Sequence, residues 1–357
     1  MTAGDRLAEA LRLNESTAAV VHDPSNTFYL TDGFAGECVV WLTGSRRVII
    51  TDFRYTEAAE KAAPGFEILV SDHEHTREKI IAGLCERDAV REIRFESNYL
   101  SVEAFEKLRE TVGDETDWVP LKKAPQALRQ IKTPAEIVAM RKAAAITSEA
   151  FEAVLPKIRP GMAETELRLE LENCMFRLGA EKLAFDTIIA SGENGSLPHA
   201  VPGSRKLRKG DMITMDFGAK VGGYCSDMTR TVALGEPSPE LRKIYSTVYR
   251  AQTMCEAALA AGKNCRDIDR LARDYIDSQG YAGRFGHGLG HCVGIDIHED
   301  PRLSPGCHDI LKAGMVITVE PGVYVPGVGG VRIENTCLVK ENGSEPLTTA
   351  RKELVVL

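Results

Sequence analysis

Asp211-Met212-Ile213-Thr214-Met215-Asp216-Phe217-Gly218 runs into Val221-Gly222-Gly223, and the chain returns as Tyr224-Cys225-Ser226-Asp227-Met228-Thr229-Arg230-Thr231-Val232. Both arms alternate as strands do, and glycines lie between them, so the stretch predicts a β-hairpin. With Val221-Gly222 as a two-residue loop, Asp216 and Asp227 become direct cross-strand partners on one face. Carboxylates placed opposite one another repel, and a cation between them removes the conflict. A bulge would alter that register, and two solvated strand residues are the alternative reading of the pair.

Downstream, more acids sit where acids are costly. Glu320 ends the apolar run Met315-Val316-Ile317-Thr318-Val319 and precedes Pro321-Gly322. In Gly330-Val331-Arg332-Ile333-Glu334-Asn335-Thr336, alternation puts Arg332, Glu334 and Thr336 on one face of a strand otherwise built for burial. An unpaired buried carboxylate is expensive, so Glu334 needs either a metal or an ion pair with Arg332. Gly286-His287-Gly288-Leu289-Gly290-His291 lets backbone and imidazole pack closely around a site. His298-Glu299 follows one short apolar strand, Val293–Ile297, and His199 stands in the prolyl loop Ser196–Gly203. The histidine spacing does not match the HExxH metal helix, and the glycines do not join a strand to a helix as in a dinucleotide fingerprint. Asp216-Phe217-Gly218 matches a kinase triplet, but no kinase catalytic loop accompanies it. His22, His73, His75 and His308 read as structural or surface residues.

Outward from these motifs, the chain divides near residue 130. The first part alternates short strands (Ala18–His22, Cys38–Leu42, Arg47–Thr51) with helical stretches (Thr56–Ala62, Val102–Val112), a small mixed α/β unit. Thr133-Pro134-Ala135-Glu136 then opens a helix, with Thr as cap, Pro at the first position and Glu three residues after the cap. Its apolar stripe is Ile137, Met140, Ala144, Phe151 and Val154. Further helices are expected over Glu164–Leu178 and from Ser238-Pro239 onward. No internal repeat is legible. The order of helices and strands lacks the βαβ rhythm of a parallel sheet, so an α+β fold with an antiparallel sheet is expected.

The 357 residues carry a formal net charge of −8, with 43% hydrophobic and 27% charged residues, as a soluble globular protein of two domains would. No basic run offsets that charge, which argues against nucleic-acid and anionic-membrane partners. No apolar run is long enough to span a bilayer, and the first residues lack the apolar stretch of a signal peptide. Nine cysteines, an odd count with no metal-ligand spacing, suit reduced thiols in a cytoplasmic protein.

Together the motifs resemble a known family. Pro198-His199, Asp216 with Asp227 eleven residues on, His287-Gly-Leu-Gly-His291, His298-Glu299, Glu320-Pro321-Gly322 and Gly330-Val-Arg-Ile-Glu334 occur in the order seen in the proline-specific branch of the pita-bread metallopeptidases. That branch contains aminopeptidase P and prolidase, with the methionine aminopeptidases and creatinase as cousins. The resemblance covers essentially the whole chain. It implies a creatinase-like N-terminal domain over residues 1–127 and a pita-bread catalytic domain, an antiparallel sheet with flanking helices, over residues 128–357. It also implies a homodimer and cleavage of the Xaa-Pro bond in peptides or dipeptides. Under it Asp216 chelates one metal, Asp227 and Glu334 bridge two, and His291 and Glu320 bind the other. His199, His298 and Glu320 act in catalysis, His287, His298 and Arg332 meet the substrate, and Arg332 holds Asp227 or the substrate. Four carboxylates and an imidazole suit two Mn²⁺ ions, with Co²⁺, Fe²⁺ or Zn²⁺ as substitutes. Asn335 departs from the pattern, since many relatives carry an acid there. A methionine aminopeptidase-like exopeptidase and a catalytically silent binding protein are the competing readings.

Overall fold

The computed structural model describes residues 2–357, which form two compact units, one ending at Arg129 and the other spanning Gln130–Leu357. The first is built on a six-stranded sheet. Its strands are β1 (Thr17–Val21), β2 (Cys38–Leu42), β3 (Arg47–Asp52), β4 (Glu67–Ser71), β5 (Glu92–Phe95) and β6 (Asp117–Pro120), in the order β4-β3-β2-β1-β5-β6. The hairpin β2–β3 is antiparallel, as is β1–β2, whose strands are joined through the helix Pro24–Leu30, while β1–β5, β3–β4 and β5–β6 are parallel. Val20, Trp41, Val48, Ile50 and Ile93 fill its core. Glu96 is the polar hub of this unit, accepting from the backbone N–H groups of His22 and Asp23 and from the Asn26 amide.

In the second unit, antiparallel sheets alternate with helix pairs, as the α+β expectation required. The helix Pro134–Val154 opens with the capping box: Thr133 Oγ1 accepts from the Glu136 N–H, and Glu136 Oε2 accepts from the Thr133 N–H. It packs beside the helix Glu164–Arg177 and against β10 (Ala219–Val221), β11 (Tyr224–Cys225) and β12 (Met228–Ala233). The second helix covers β8 (Ile188–Ser191), β9 (Met212–Phe217) lies between β8 and β12, and β7 (Lys182–Leu183) pairs with β10. Phe151, Leu167, Met215, Phe217 and Val232 close that core. The helices Pro239–Ala258 and Cys265–Ile276 then repeat the arrangement over a sheet ordered β14-β13-β15-β18-β19, around Ile244, Val248, Ala272, Ile317 and Cys337. Here β13 is Gly290–Cys292, β14 Glu299–Leu303, β15 Val316–Val319, β18 Asn335–Val339 and β19 Ser344–Pro346. Helix pair followed by sheet thus occurs twice, although no sequence repeat marks it. Among the described residues no helix is long and apolar enough to cross a membrane. All nine cysteines are free, and eight are buried.

Three local expectations are corrected. The hairpin turns at Gly222-Gly223, with Val221 opposite Tyr224, so Asp216 pairs with Thr229 and Asp227 lies on the diagonal. Both glycines have positive φ (57° and 79°), a backbone that a β-branched Val221 resists. Val293–Ile297 is a loop rather than a strand. Its Gly294 N–H turns back to the Asp296 carbonyl, and its Val293 N–H reaches Val316. Finally, Gly330–Thr336 is not one strand. β17 (Gly329–Arg332), paired with β16 (Gly322–Val325), ends where the Glu334 N–H leaves for the Thr229 carbonyl, and β18 begins in another sheet.

That last segment nevertheless keeps the alternation. The Thr231 hydroxyl accepts from the Arg332 N–H and donates to the Arg332 carbonyl. The Glu334 N–H donates to the Thr229 carbonyl, and the Thr336 hydroxyl donates to the Asp227 carbonyl. Residues 332, 334 and 336 therefore run antiparallel along 231, 229 and 227, a seam joining the two helix–sheet halves of this unit.

The turn assignment is testable. Gly223→Val should lower the unfolding free energy by roughly 1–2 kcal/mol, seen as a lower urea midpoint. A turn centred on Val221-Gly222 would leave that substitution near neutral.

Candidate metal centre

Every acidic candidate lies on a strand or at a strand end bordering the seam. Asp216, on β9, accepts from the Arg332 guanidinium at 2.6 Å through Oδ2, while its Oδ1 is buried without a hydrogen-bond partner. Glu334 is 1% exposed. Its Oε2 accepts from the Thr229 hydroxyl at 2.7 Å, and its Oε1 has no partner. Asp227, between β11 (Tyr224–Cys225) and β12, is also buried. From the other half come His291, on β13, and Glu320, just past β15. His291 Nε2 lies 3.5 Å from Asp227 Oδ2 and 3.4 Å from Glu320 Oε1.

The imidazole is already oriented. His291 Nδ1 is 3.1 Å from the Cys292 carbonyl, which can only accept, so Nδ1 carries the proton and Nε2 turns a lone pair to the carboxylates. Burial, then the neighbouring His298, pushes its pKa down to about 3. Burial also pushes Asp227 well above the usual carboxylate range, with Glu334, Asp216 and Glu320 adding repulsion, and Glu334 shifts the same way. Glu320 is raised to about 8 by burial, against the attraction of Arg332 and with repulsion from Asp216. With the His291 imidazole held neutral by burial, its 3.5 Å approach to Asp227 is no ion pair. The grouping is one of ligands converging.

The donor set fits divalent cations. Native proteins seldom leave buried carboxylate oxygens unpartnered, yet Asp216 Oδ1 and Glu334 Oε1 are both orphaned in one cavity. Donor atoms of Asp227, His291 and Glu334 lie within 4.8 Å of one another, the one such grouping of three or more candidate ligands among the described residues. Asp216 and Glu320 line the same cavity of about 260 Å³. These five side chains would hold the ions.

The cavity wall carries the remaining candidates. His199 and His298 are exposed at its rim, and among the described residues neither ring has a hydrogen-bond partner. The His298 ring meets His291 edge-on at 4.5 Å between centroids. His287 is engaged by the chain itself, through Nδ1 with the Gly288 carbonyl and through Nε2 with the Tyr324 hydroxyl at 2.9 Å. Arg332 holds Asp216, correcting the expectation that it holds Asp227, and it does not pair with Glu334. The cause is Thr229, the cross-strand partner of Asp216, whose hydroxyl accepts from Arg332 Nε at 3.2 Å and draws the guanidinium to that side. Tyr324 accepts a second guanidinium bond at 2.9 Å. Thr229 and Tyr324 were not singled out in the sequence. The signals available were alternation in β12 and the position of Tyr324 four residues after Glu320.

Asn335 also finds its reason. Its Oδ1 accepts from the fully buried Arg230 at 2.8 Å, and its Nδ2 donates to Glu256 Oε2 at 2.8 Å. Only an amide serves both, since an acid there would face the Glu256 carboxylate. Arg230 also donates to the Glu334 carbonyl, so the network holds the backbone of a candidate ligand.

With this geometry established, comparison with known proteins is decisive. The model of metallopeptidase family M24 matches residues 138–341, and that of the creatinase/prolidase N-terminal domain matches residues 5–131. The chain belongs to metallopeptidase family M24. This M24 chain is 40% identical to the uncharacterized peptidase YqhT of Bacillus subtilis, covering 93% of this chain and 94% of the relative. It is 34% identical to the Xaa-Pro dipeptidase of Pyrococcus furiosus over 98% and 99% of the two chains. Among solved structures it superposes on an Xaa-Pro dipeptidase from Bacillus anthracis with a TM-score of 0.94 at 37% identity, covering 99% and 98%. For the X-Pro aminopeptidase of Thermotoga maritima the TM-score is 0.92 at 32% identity, covering 99% and 100%. The pita-bread architecture of the catalytic part is thereby shown.

If the five side chains are an M24 metal site, Mn²⁺ at a hundredfold excess over Kd should stabilise the protein by about 2.7 kcal/mol. Asp227→Asn should abolish that gain in a thermal-shift titration. Removing one of several repelling acids should leave the thermal midpoint in chelator no lower than wild type.

Proposed function

We propose that this M24 chain hydrolyses the bond between an N-terminal residue and a following proline, in dipeptides and at the start of longer peptides. The observation that carries the reading is the convergence of Asp216, Asp227, His291, Glu320 and Glu334, two with unpartnered buried oxygens, on a cavity whose rim presents unengaged imidazoles. Full-length similarity to proteins named as Xaa-Pro peptidases supplies the substrate class.

In this reading Asp216 would hold one divalent ion, His291 and Glu320 would hold the other, and Asp227 and Glu334 would serve both. An oxygen-rich set favours Mn²⁺, with Co²⁺, Fe²⁺ or Zn²⁺ able to substitute. When bound, such ions acidify water and polarise a carbonyl. The chain's own groups do the rest. Glu320 accepts the proton of the attacking water and delivers it to the departing imino nitrogen. His199 and His298 donate hydrogen bonds to the carbonyl oxygen as negative charge builds on it. Arg332 keeps Asp216 aligned, and the bond from the Tyr324 hydroxyl to His287 keeps that imidazole against the substrate side of the cavity. A prolyl nitrogen in peptide linkage has no N–H, so the apolar side chains of Phe185 and Ile188 on the cavity wall leave no acceptor unsatisfied beside the ring. Arg302, also on the wall, can meet a substrate carboxylate. The same reading gives residues 1–127 as the N-terminal domain and 128–357 as the catalytic domain of a cytoplasmic homodimer.

The test is turnover of Xaa-Pro, Xaa-Pro-Xaa and Met-Ala-Ser peptides before and after chelation. Cleavage of the proline substrates should vanish in chelator and return with Mn²⁺ or Co²⁺. Glu320→Gln should lower kcat by roughly 10²–10⁴-fold. Undiminished turnover in metal-free protein contradicts the reading, and preferential cleavage of Met-Ala-Ser redirects it to a methionine aminopeptidase.

A further inference from the structure

Among the described residues none hydrogen-bonds the His298 ring, so its position is inherited from the loop that carries it. That loop is fastened from several sides. The Val293 N–H reaches the Val316 carbonyl at 2.9 Å, and the Cys225 N–H donates to the Gly294 carbonyl at 2.8 Å. Lys220 Nζ donates to the Ile295 carbonyl at 2.8 Å. Beyond Ile295 the anchor is the next residue after His298. Glu299 folds its carboxylate back under the turn, where Oε1 accepts from the Asp296 N–H at 3.3 Å. Gly294 lies against the carboxylate so closely that a Cβ there would strike it.

The partner of Glu299 comes from far away in sequence. Lys132, the residue before the capping Thr133, sends its ammonium to Glu299 Oε2 at 3.1 Å. The two side chains are only 1% and 8% exposed. The Lys132 N–H is itself fixed to the Gly314 carbonyl at 2.9 Å. A dry ion pair is a poor device for stability alone, because apolar side chains of similar volume commonly do as well or better. What the pair adds is direction: the charge pins one carboxylate in one place, and that carboxylate pins the turn on either side of His298.

We propose that Lys132 and Glu299 are positioning residues that set the imidazole of His298 against the reacting carbonyl. The proposal rests on His298 acting on the substrate as in the functional reading above. The ion pair touches no substrate; it acts through the loop. An imidazole shifted by a fraction of an ångström still lines the cavity, so binding survives while stabilisation of the developing charge weakens.

The experiment is a mutant cycle on the Mn²⁺-loaded full chain with an Xaa-Pro substrate, comparing K132M/E299M, H298A and the triple variant, with thermal midpoints recorded alongside. K132M/E299M removes both charges and keeps the volume. It should lower kcat on the order of 10- to 100-fold with KM and the thermal midpoint nearly unchanged. In the H298A background the same pair of substitutions should cost almost nothing further. Gly294→Ala, which pushes the carboxylate from Lys132 without deleting a charge, is the second variant should K132M/E299M fail to fold, and it should show the same dependence on His298. An equal loss with and without His298 overturns the proposal and leaves the functional reading standing. An H298A enzyme with full activity overturns the proposal together with the catalytic role given to His298, while leaving Xaa-Pro hydrolysis itself standing.

Discussion

Four carboxylates held in one cavity, with Arg332 paired to one of them, repel one another, and much of the second unit's architecture resists that repulsion. Asp216 and Asp227 come from one helix–sheet half, Glu320 and Glu334 from the other. The seam pairing residues 332, 334 and 336 with 231, 229 and 227 is what forces the halves together. Thr229 stands at its centre, donating its hydroxyl to Glu334 and accepting from the arginine that neutralises Asp216. Arg230, pointing away from the site, ties the backbone of Glu334 and the amide of Asn335 to the carbonyls of Ala350 and Arg351. A buried arginine whose donors are spent on carbonyls does not tolerate rearrangement, because each lost bond leaves a buried polar group unpaired.

The same constraint accounts for the direction of the pKa shifts. Burial raises Asp227, Glu320 and Glu334 together, and mutual repulsion raises Asp227 and Glu334 further. Such a cluster is costly as a fixture of the fold and reasonable as a cation site, where the same charges become attractive. Unpartnered oxygens on Asp216 and Glu334 mark where the strain remains.

Much of this was legible because it is local. Helix starts announce themselves within four residues, and Thr133–Glu136 and Ser238-Pro239 both cap as expected. Acids ending apolar strands and histidines among glycines are anomalies of composition that need no fold to be noticed. Apart from the hairpin turn, the failures lie chiefly where distant segments decide. The hairpin register moved by one turn position because left-handed backbone requires Gly222-Gly223, and Asp216 consequently faces Thr229. Ile333–Glu334 reads as strand interior, yet the Glu334 N–H bonds to a residue more than a hundred positions earlier. The choice of Asp216 by Arg332 follows from Thr229, and the Lys132–Glu299 pair from helix placement, neither of which spacing encodes.

The central claim is that these five side chains were folded together to hold a pair of divalent ions. Diffraction from Mn²⁺-soaked crystals at the manganese absorption edge addresses it directly. The account requires two anomalous peaks among Asp216, Asp227, His291, Glu320 and Glu334, with Asp216 Oδ1 and Glu334 Oε1 drawn into coordination. An anomalous map empty there, at saturating Mn²⁺, would contradict it.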